Sequence, residues 1–180
     1  MLKIQEKILL HRAKRGDQSA FIKLYNEYVE PIQRFVFFKV SDQNQTEEIV
    51  STIFTKTFNY LTNDGEIENF RAFLYQTARN LIIDFYRSKR PTVSLEKAPE
   101  KYLSWTEDLA EKIDNKIDLE KIKVALKKIP DHYREILVLR YINDLSFQEI
   151  ARATGQKEAN VRQVSSRGLK LLRKQLTTNN

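Results

Sequence analysis

The last third of the chain contains a run of hydrogen-bonding side chains with no acid among them. In the stretch SFQEIARATGQKEANVRQVSSRGLKLLRK, from Ser146 to Lys174, every charged residue after Glu158 is basic. Arg and Gln can each form paired hydrogen bonds to a base edge, while Lys and Ser bind phosphate oxygens. A merely solvated helix would favour Glu–Lys pairs. The residue types therefore favour a surface that reads DNA over the alternative, a plain solvated helical hairpin.

The same stretch contains the signals that would position this surface. Ser146 and Glu149 form an S-x-x-E capping box, which predicts a helix from Ser146 to Thr154. Gly155 supplies a left-handed turn, and a second helix follows over about residues 157–176, as in a helix-turn-helix. One side of the second helix is apolar, with Val161, Val164, Gly168, Leu171 and Leu172. The other side and its flanks contain Ala159, Arg162, Gln163, Ser166, Arg167, Lys170, Arg173 and Lys174.

A second candidate surface lies in FRAFLYQTARNLIIDFYRSKR, which predicts one helix from about Phe70 to Ser88. Its predicted buried stripe contains Phe70, Phe73, Leu74, Thr77, Leu81 and Phe85. The side chains predicted to project the opposite way are Tyr75, Arg79, Ile82, Tyr86, Lys89 and Arg90, with Asn80, Ile83 and Arg87 alongside. The bases of a single strand can stack on such rings and guanidinium planes while cations bind the phosphates. The alternative is a helix–helix interface that uses Tyr and Ile.

Net charge supports a nucleic-acid partner in the C-terminal third. The chain of 180 residues carries a formal charge of +7. Residues 1–90 have 14 basic and 11 acidic side chains, residues 91–117 have 4 and 6, and residues 118–180 have 13 and 7. Basic excess concentrated in one segment is typical of nucleic-acid binding, although on charge alone solubility is an equal explanation.

Several classes of protein are disfavoured by composition. The absence of Cys excludes disulfides and thiolate metal sites. His11 and His132 have no second ligand at helical spacing, so neither a metal nor a cofactor is predicted. No nucleophile or phosphate-binding loop accompanies acids such as Asp114 and Asp118, so the chain is not expected to be an enzyme. With neither a secretory signal nor a membrane-length apolar run, we expect a soluble cytoplasmic protein.

The elements that must hold these surfaces are predicted to be helical throughout, which is an all-α fold. Helical periodicity covers residues 2–15, 19–40, 44–61, 70–88, 119–129 and 131–141 before the helix-turn-helix, with a polar loop at 61–69. Between Arg90 and Lys116 two prolines, an acidic balance and fading periodicity indicate a flexible linker, with Trp105 as a packing anchor. We therefore predict two small helical domains, residues 1–90 and 118–180, joined by a linker at 91–117. The C-terminal one is a four-helix domain containing the helix-turn-helix.

Two motifs in this order resemble the sigma-70 family, in its small ECF (extracytoplasmic function) class. The first is F-R-x-[aromatic]-L-Y-x-x-A-R-N, beginning at Phe70. The second is L-P-x-x-[aromatic]-R-E-x-x-x-L-R-Y, with Ile129 at the Leu position. The resemblance covers about residues 8–90 and 118–176. It implies a bacterial initiation factor that binds core RNA polymerase, reads the −35 and −10 promoter elements as duplex and melted DNA, and helps to open the duplex.

The resemblance also implies roles for particular residues. The −10 reader would be the helix with Arg79, Asn80, Ile83, Asp84 and Arg87, to which the stacking argument adds Tyr75 and Tyr86. The loop from Thr62 to Glu66, with Asn63 and Asp64, matches the family loop that receives a flipped promoter base. The −35 reader would be the helix with Lys157, Arg162, Gln163, Ser166, Arg167 and Lys170. The helix TEEIVSTIFTKTF matches the segment that grips the polymerase clamp helices, through Glu47, Glu48, Ser51, Phe54 and Phe58.

At Ser51-Thr52 the chain departs from the family pattern, which has a Gln followed by an acid.

The resemblance further implies an anti-sigma factor as a partner, which the linker would allow to lodge between the domains. The alternative to the sigma reading is a stand-alone helix-turn-helix regulator whose residues 1–90 serve sensing or dimerisation. The face with Tyr and Arg on the helix that begins at Phe70 favours the sigma interpretation, because a sensing domain does not need to bind single-stranded nucleic acid.

Overall fold

The structure is a computed structural model that describes residues 3–88 and 119–178. The chain divides into two compact units, Met1–Glu96 and Lys97–Asn180. All regular secondary structure in the described residues is helical, which confirms the all-α prediction. The predicted linker at 91–117, together with Lys89, Arg90 and Trp105, lies outside the described residues, so the domain boundaries stay a prediction.

Within residues 3–88, the first unit contains four helices: α1 (Lys3–Lys14), α2 (Gln18–Val40), α3 (Gln43–Thr62) and α4 (Phe70–Ser88). Aspartates cap two of them. Asp17 Oδ1 accepts the Ala20 amide at 3.1 Å at the start of α2, and Asp42 Oδ1 accepts the Gln45 amide at 2.8 Å at the start of α3. Ser41 adopts a left-handed conformation and ends α2, so α2 and α3 are joined by two residues.

Asp17 is also the centre of a small polar network at the α1–α2 turn. Its carboxylate accepts the Ser19 hydroxyl at 2.7 Å and the Arg12 Nε–H at 2.8 Å. These hydrogen bonds, with Ser19 the largest contributor, lower the pKa of Asp17 from 3.8 to about 2. The capping charge that holds the α1–α2 turn is therefore retained in mild acid.

Helix α2 is the centre of the first unit and contacts each of the other three helices. Its apolar face contains Leu24, Tyr28, Ile32, Phe35 and Val36, all buried. Tyr28 packs edge-to-face with Phe70 of α4, and its hydroxyl donates to the Glu6 carboxylate of α1. Burial, followed by this hydrogen bond, raises the pKa of Tyr28, so the hydroxyl stays a donor that joins α1 to α2.

The predicted orientation of α4 is wrong by about one residue position. The buried residues of α4 are Phe70, Ala72, Leu74, Tyr75, Ala78 and Ile82, whereas Phe73, Thr77, Leu81 and Phe85 are only half-buried. The sequence predicts that Tyr75 projects outward, but it is completely buried and packs edge-to-face with Phe35 at 5.2 Å. The reason is that α4 packs against both α2 and α3, so its buried arc is set by two neighbours.

The second unit contains α5 (Leu119–Lys128), α6 (Asp131–Leu137), α7 (Phe147–Thr154) and α8 (Glu158–Thr178). Pro130 stands between α5 and α6, where it ends the first helix and precedes the second. Helices α5, α6 and α7 all pack against α8. The core that they share contains Ile122, Leu126, Ile136, Leu137, Ile150, Val161 and Leu172.

The helix predicted over residues 131–141 has the expected length, but its last turn is a π-helix, Val138–Ile142. Asn143 is buried there, and both its amide N–H and its Nδ2 donate to the Val138 carbonyl. The wider turn precedes the helix-turn-helix directly. Arg140 Nη1 donates to the Leu145 carbonyl at 2.9 Å and closes the connection between the π-turn and α7.

Candidate nucleic-acid and polymerase interfaces

The turn between α7 and α8 has the geometry that the sequence predicts. The Ser146 hydroxyl accepts the Glu149 amide at 3.2 Å, and Glu149 Oε2 accepts the Ser146 amide at 2.8 Å, which completes the capping box. Gly155 has a φ of 68°, the left-handed conformation that ends α7. Two helices of unequal length joined by this tight turn form a helix-turn-helix.

The outer face of α8 is exposed along its length, as predicted. Val161, Gly168 and Leu172 face the core, and Gly168 approaches the side chains of Tyr133 and Leu137 so closely that a Cβ there would be 3.3 Å from each. The exposed residues of the opposite face are Ala159, Arg162, Gln163, Ser166, Arg167, Lys170, Arg173 and Lys174. Lys157, just before the helix, is exposed as well. The result is a basic surface with amide and hydroxyl groups among its cations.

Arg162 is held by residues from the starts of both helices of the motif. Its Nε and Nη2 atoms donate to Glu158 Oε1 at 3.1 and 2.5 Å. Its Cζ lies over the ring of Phe147, the first residue of α7, at 4.6 Å from the centroid. Phe147 also contacts the Arg140 guanidinium at 5.0 Å. The sequence reasoning missed Phe147, although its place directly after the capping serine was a usable signal.

The exposed face of α4 retains most of the predicted −10 residues. Asn80, Ile83, Asp84, Tyr86 and Arg87 are exposed, and Arg79 is half-buried. Asp84 and Arg87 form an ion pair at 4.0 Å. The Tyr86 hydroxyl donates to the Lys39 carbonyl of α2 at 2.5 Å, while 47% of the residue stays accessible. Gln76 is also exposed one turn before Asn80, and four-residue spacing could have identified it.

The loop between α3 and α4 presents two polar side chains next to an exposed ring. Asn63 and Asp64 are exposed, and Asp64 has a φ of 62°. The Gly65 amide donates to the Tyr60 carbonyl at 2.9 Å, and a Cβ at Gly65 would overlap the Tyr60 ring. Tyr60 in turn stacks on Phe73 of α4, with centroids 5.1 Å apart. Tyr60, which the sequence reasoning missed, therefore supports the loop and remains 45% exposed.

A groove of about 560 Å³ separates part of α2 from α3. The predicted contact residues Glu47, Ser51, Phe54 and Phe58 line it, together with Gln18, Phe21, Ile22, Tyr25, Val29, Gln33, Val50 and Thr55. Phe54 is buried against Tyr25 at 4.7 Å, and Phe58 packs on Phe21 at 4.9 Å, so these rings form the groove wall. Glu48 is exposed on α3 but does not line the groove.

Comparison with known proteins matches both units to one family. The family model described as sigma-70 region 2 matches residues 24–92, and the one described as sigma-70 region 4 matches residues 119–172. The chain belongs to the sigma-70 family. The ECF RNA polymerase sigma factor SigW of Bacillus subtilis is 28% identical over 176 residues, which cover 93% of this chain and 94% of SigW.

Two solved structures share the fold of this sigma factor. CnrH, in complex with the cytosolic domain of CnrY, superposes with a TM-score of 0.73 at 21% identity, covering 98% of this chain and 99% of CnrH. RpoE from Bartonella quintana, in complex with the anti-sigma factor NepR, superposes with a TM-score of 0.65 at 17% identity, covering 89% of this chain and 98% of RpoE.

The protein is an ECF sigma factor, a bacterial initiation factor that binds core RNA polymerase and directs it to specific promoters by reading −35 duplex and −10 melted DNA. The match of region 2 to the first unit disfavours the alternative of a sensing or dimerisation domain. Within residues 3–88 and 119–178, no three His, Cys, Asp or Glu side chains group as metal ligands. In that same part of the chain, no helix combines the length and hydropathy needed to cross a membrane.

Proposed function

We propose that three surfaces of this sigma factor divide its work, and that α8 is the reader of the −35 duplex. The observation that carries this assignment is the exposed outer face of α8, on which no acid follows Glu158. Arg162 and Gln163 lie near the helix N-terminus, the part that a helix-turn-helix aims at base edges. Lys170 and Arg167 lie further along and neutralise phosphates. Lys157 and Ser166 add further polar contacts to the sugar–phosphate backbone of the DNA.

The melted −10 element is assigned to the exposed face of α4 and the loop before it. Asn80, Ile83 and Arg87 offer a hydrogen-bonding, an apolar and a cationic group on one face, which suits unpaired bases joined by phosphates. Asn63 and Asp64 are assigned to the edge of an extruded base, beside the exposed ring of Tyr60. Tyr75 is excluded from this surface because it is buried.

The groove between α2 and α3 is assigned to core polymerase. Its walls are aromatic, and Glu47 and Ser51 add polar groups along α3. Ser51→Arg should lower the affinity for core polymerase by filling the groove with a charged side chain. Asn59→Arg is the matched control, because Asn59 is exposed on the same helix outside the groove lining. Equal affinities of the two variants would contradict the assignment.

We further propose restraint of this chain by a separate anti-sigma protein. Support comes from the similar folds of CnrH and RpoE, whose structures contain CnrY and NepR. Co-purification from the native host should recover a non-polymerase partner in at least one growth state. Recovery of polymerase subunits alone in every growth state would oppose the proposal.

Because the protein acts on the chromosome, we assign it to the cytoplasm. We assign the chemistry of transcription to polymerase rather than to this chain.

The test of the whole proposal is in vitro transcription with core polymerase on a genomic template library, with and without the chain. A defined set of start sites should depend on the chain, and Arg162→Ala should reduce their use. Lys127→Ala is the matched control, because it removes an exposed cation from α5, outside the three surfaces. If no start site depends on the chain, the assignment of these surfaces fails.

A further inference from the structure

Arg162 is more tightly positioned than an exposed arginine on a helix surface usually is. Its side chain is 60% accessible, yet two of its nitrogens donate to one carboxylate oxygen of Glu158. The Phe147 ring lies against the guanidinium at 4.6 Å. Contact with an aromatic ring and a carboxylate removes rotamer freedom that a free arginine would lose only on binding.

The contacts leave one side of the guanidinium available. Glu158 occupies the edge of the guanidinium formed by Nε and Nη2. The Phe147 ring lies beside the guanidinium, with its centroid 4.6 Å from Cζ. The two N–H groups of Nη1 and the second N–H of Nη2 point away from the Glu158 edge, because the five donors of a guanidinium form a rigid planar fork. This terminal pair of nitrogens matches the spacing of O6 and N7 of guanine.

The placement of Phe147 and Glu158 depends on the two caps of the motif. Phe147 directly follows the N-cap Ser146, whose capping box fixes the first turn of α7. Glu158 is the first residue of α8, after the turn made by Gly155. Arg140, held by the Leu145 carbonyl at 2.9 Å, contacts the Phe147 ring from the π-turn. Each partner of Arg162 is thus located by local structure before DNA arrives.

We propose that Phe147 and Glu158 are positioning residues that present the terminal nitrogens of Arg162 for end-on recognition of one guanine in the −35 duplex. This inference rests on the proposed role of α8. The two residues act through Arg162, so their effect is confined to the base that Arg162 reads. Other positions of the −35 element are read without them.

The test uses holoenzyme formed from the full chain and core polymerase, on promoter templates randomised across the −35 element. The measured quantity is the base preference at each position among the transcribed templates. Arg162→Ala should reduce one guanine preference about tenfold or more. Phe147→Leu should reduce the same preference about two- to fivefold. Phe147→Tyr should retain the preference, because the aromatic ring is kept. Glu158→Gln, which replaces the carboxylate by a neutral amide at a side chain that is 40% accessible, should reduce it by a similar factor without affecting folding.

Controls separate a positioning role from a structural one. Tyr141→Leu removes another ring that contacts Arg140, at 6.0 Å, and should leave the guanine preference unchanged. In the Arg162→Ala background, Phe147→Leu and Glu158→Gln should have no further effect at that position. An even loss of preference at all positions, or additive losses in the double variants, would overturn the positioning role. If Arg162→Ala itself changes no position, the assignment of Arg162 as a base reader fails instead.

Discussion

The Tyr75 ring packs edge-to-face against the Phe35 ring at 5.2 Å, inside the core of the first unit. Tyr75→Ala should therefore lower the free energy of unfolding by about 3–5 kcal/mol, the range for large aromatic truncations. Thermal melting with helical content as the signal measures this. Tyr75→Phe is the control, because it keeps the ring and removes the hydroxyl, which donates to the Pro31 carbonyl at 3.5 Å. A Tyr75→Ala variant that melts normally but fails to open promoters would contradict the buried role.

Tyr86 is expected to behave in the opposite way. Its ring is half exposed while its hydroxyl is bonded to Lys39 of α2. Tyr86→Ala should impair open-complex formation by about 1–3 kcal/mol, the value of one stacked base, and leave initial duplex binding unchanged. Permanganate reactivity of the −10 thymines and gel-shift affinity measure the two steps. Tyr86→Phe should keep most of the activity, and a Phe variant as defective as Ala would assign the effect to the hydroxyl instead.

Gly65 is expected to be required for the shape of the loop before α4. An added Cβ would overlap the Tyr60 ring and carbonyl, so Gly65→Ala must displace the loop from Tyr60. We expect an at least tenfold loss of base discrimination within the −10 element, measured on templates randomised there. Asp64→Gly is the informative comparison, because it tolerates the φ of 62° and removes only the carboxylate. Full discrimination by the Gly65→Ala variant would show that the loop does not read a base.

Lys170 and Arg162 should differ in how their loss depends on sequence and salt. Lys170→Ala should weaken holoenzyme binding evenly on matched and scrambled −35 elements, and reduce the salt slope by about one unit if one phosphate contact is lost. Arg162→Ala should cost about 1–3 kcal/mol on the matched element and much less on the scrambled one. Binding across a salt series distinguishes the two. If Arg162→Ala lowers the affinity equally on both DNAs, α8 binds DNA only through its charge and does not read the sequence.

The Asp17 cap predicts a pH dependence confined to acid. Because its pKa is lowered from 3.8 to about 2, the ionised form stabilises the fold above pH 4, and this contribution is lost as the pH falls towards 2. Melting temperatures between pH 5 and pH 2 should therefore fall more for the wild type than for Asp17→Asn, which keeps the capping oxygen. An Asp17 carboxyl that titrates near 4 by NMR would contradict the network with Ser19 and Arg12.

Local sequence determined the helices and the turn of the DNA-reading motif. The Ser146–Glu149 capping box, the left-handed Gly155 and the breaks at Gly16 and Pro130 lie where the residue types predict them. The outer face of α8 was also predictable, since α8 has an apolar stripe of regular spacing. These features depend on interactions between residues a few positions apart, which a single sequence contains completely.

Tertiary packing decided which side of α4 is buried and how Arg162 is held. Because α4 has apolar residues on more than one side, its contacts with both α2 and α3 decide which of them are buried. The buried arc differs from the predicted one by about one residue position and includes Tyr75. The contact of Phe147 with Arg162 likewise joins residues from separate helices. Such contacts depend on how neighbouring helices pack, and helical spacing within one segment does not encode that arrangement.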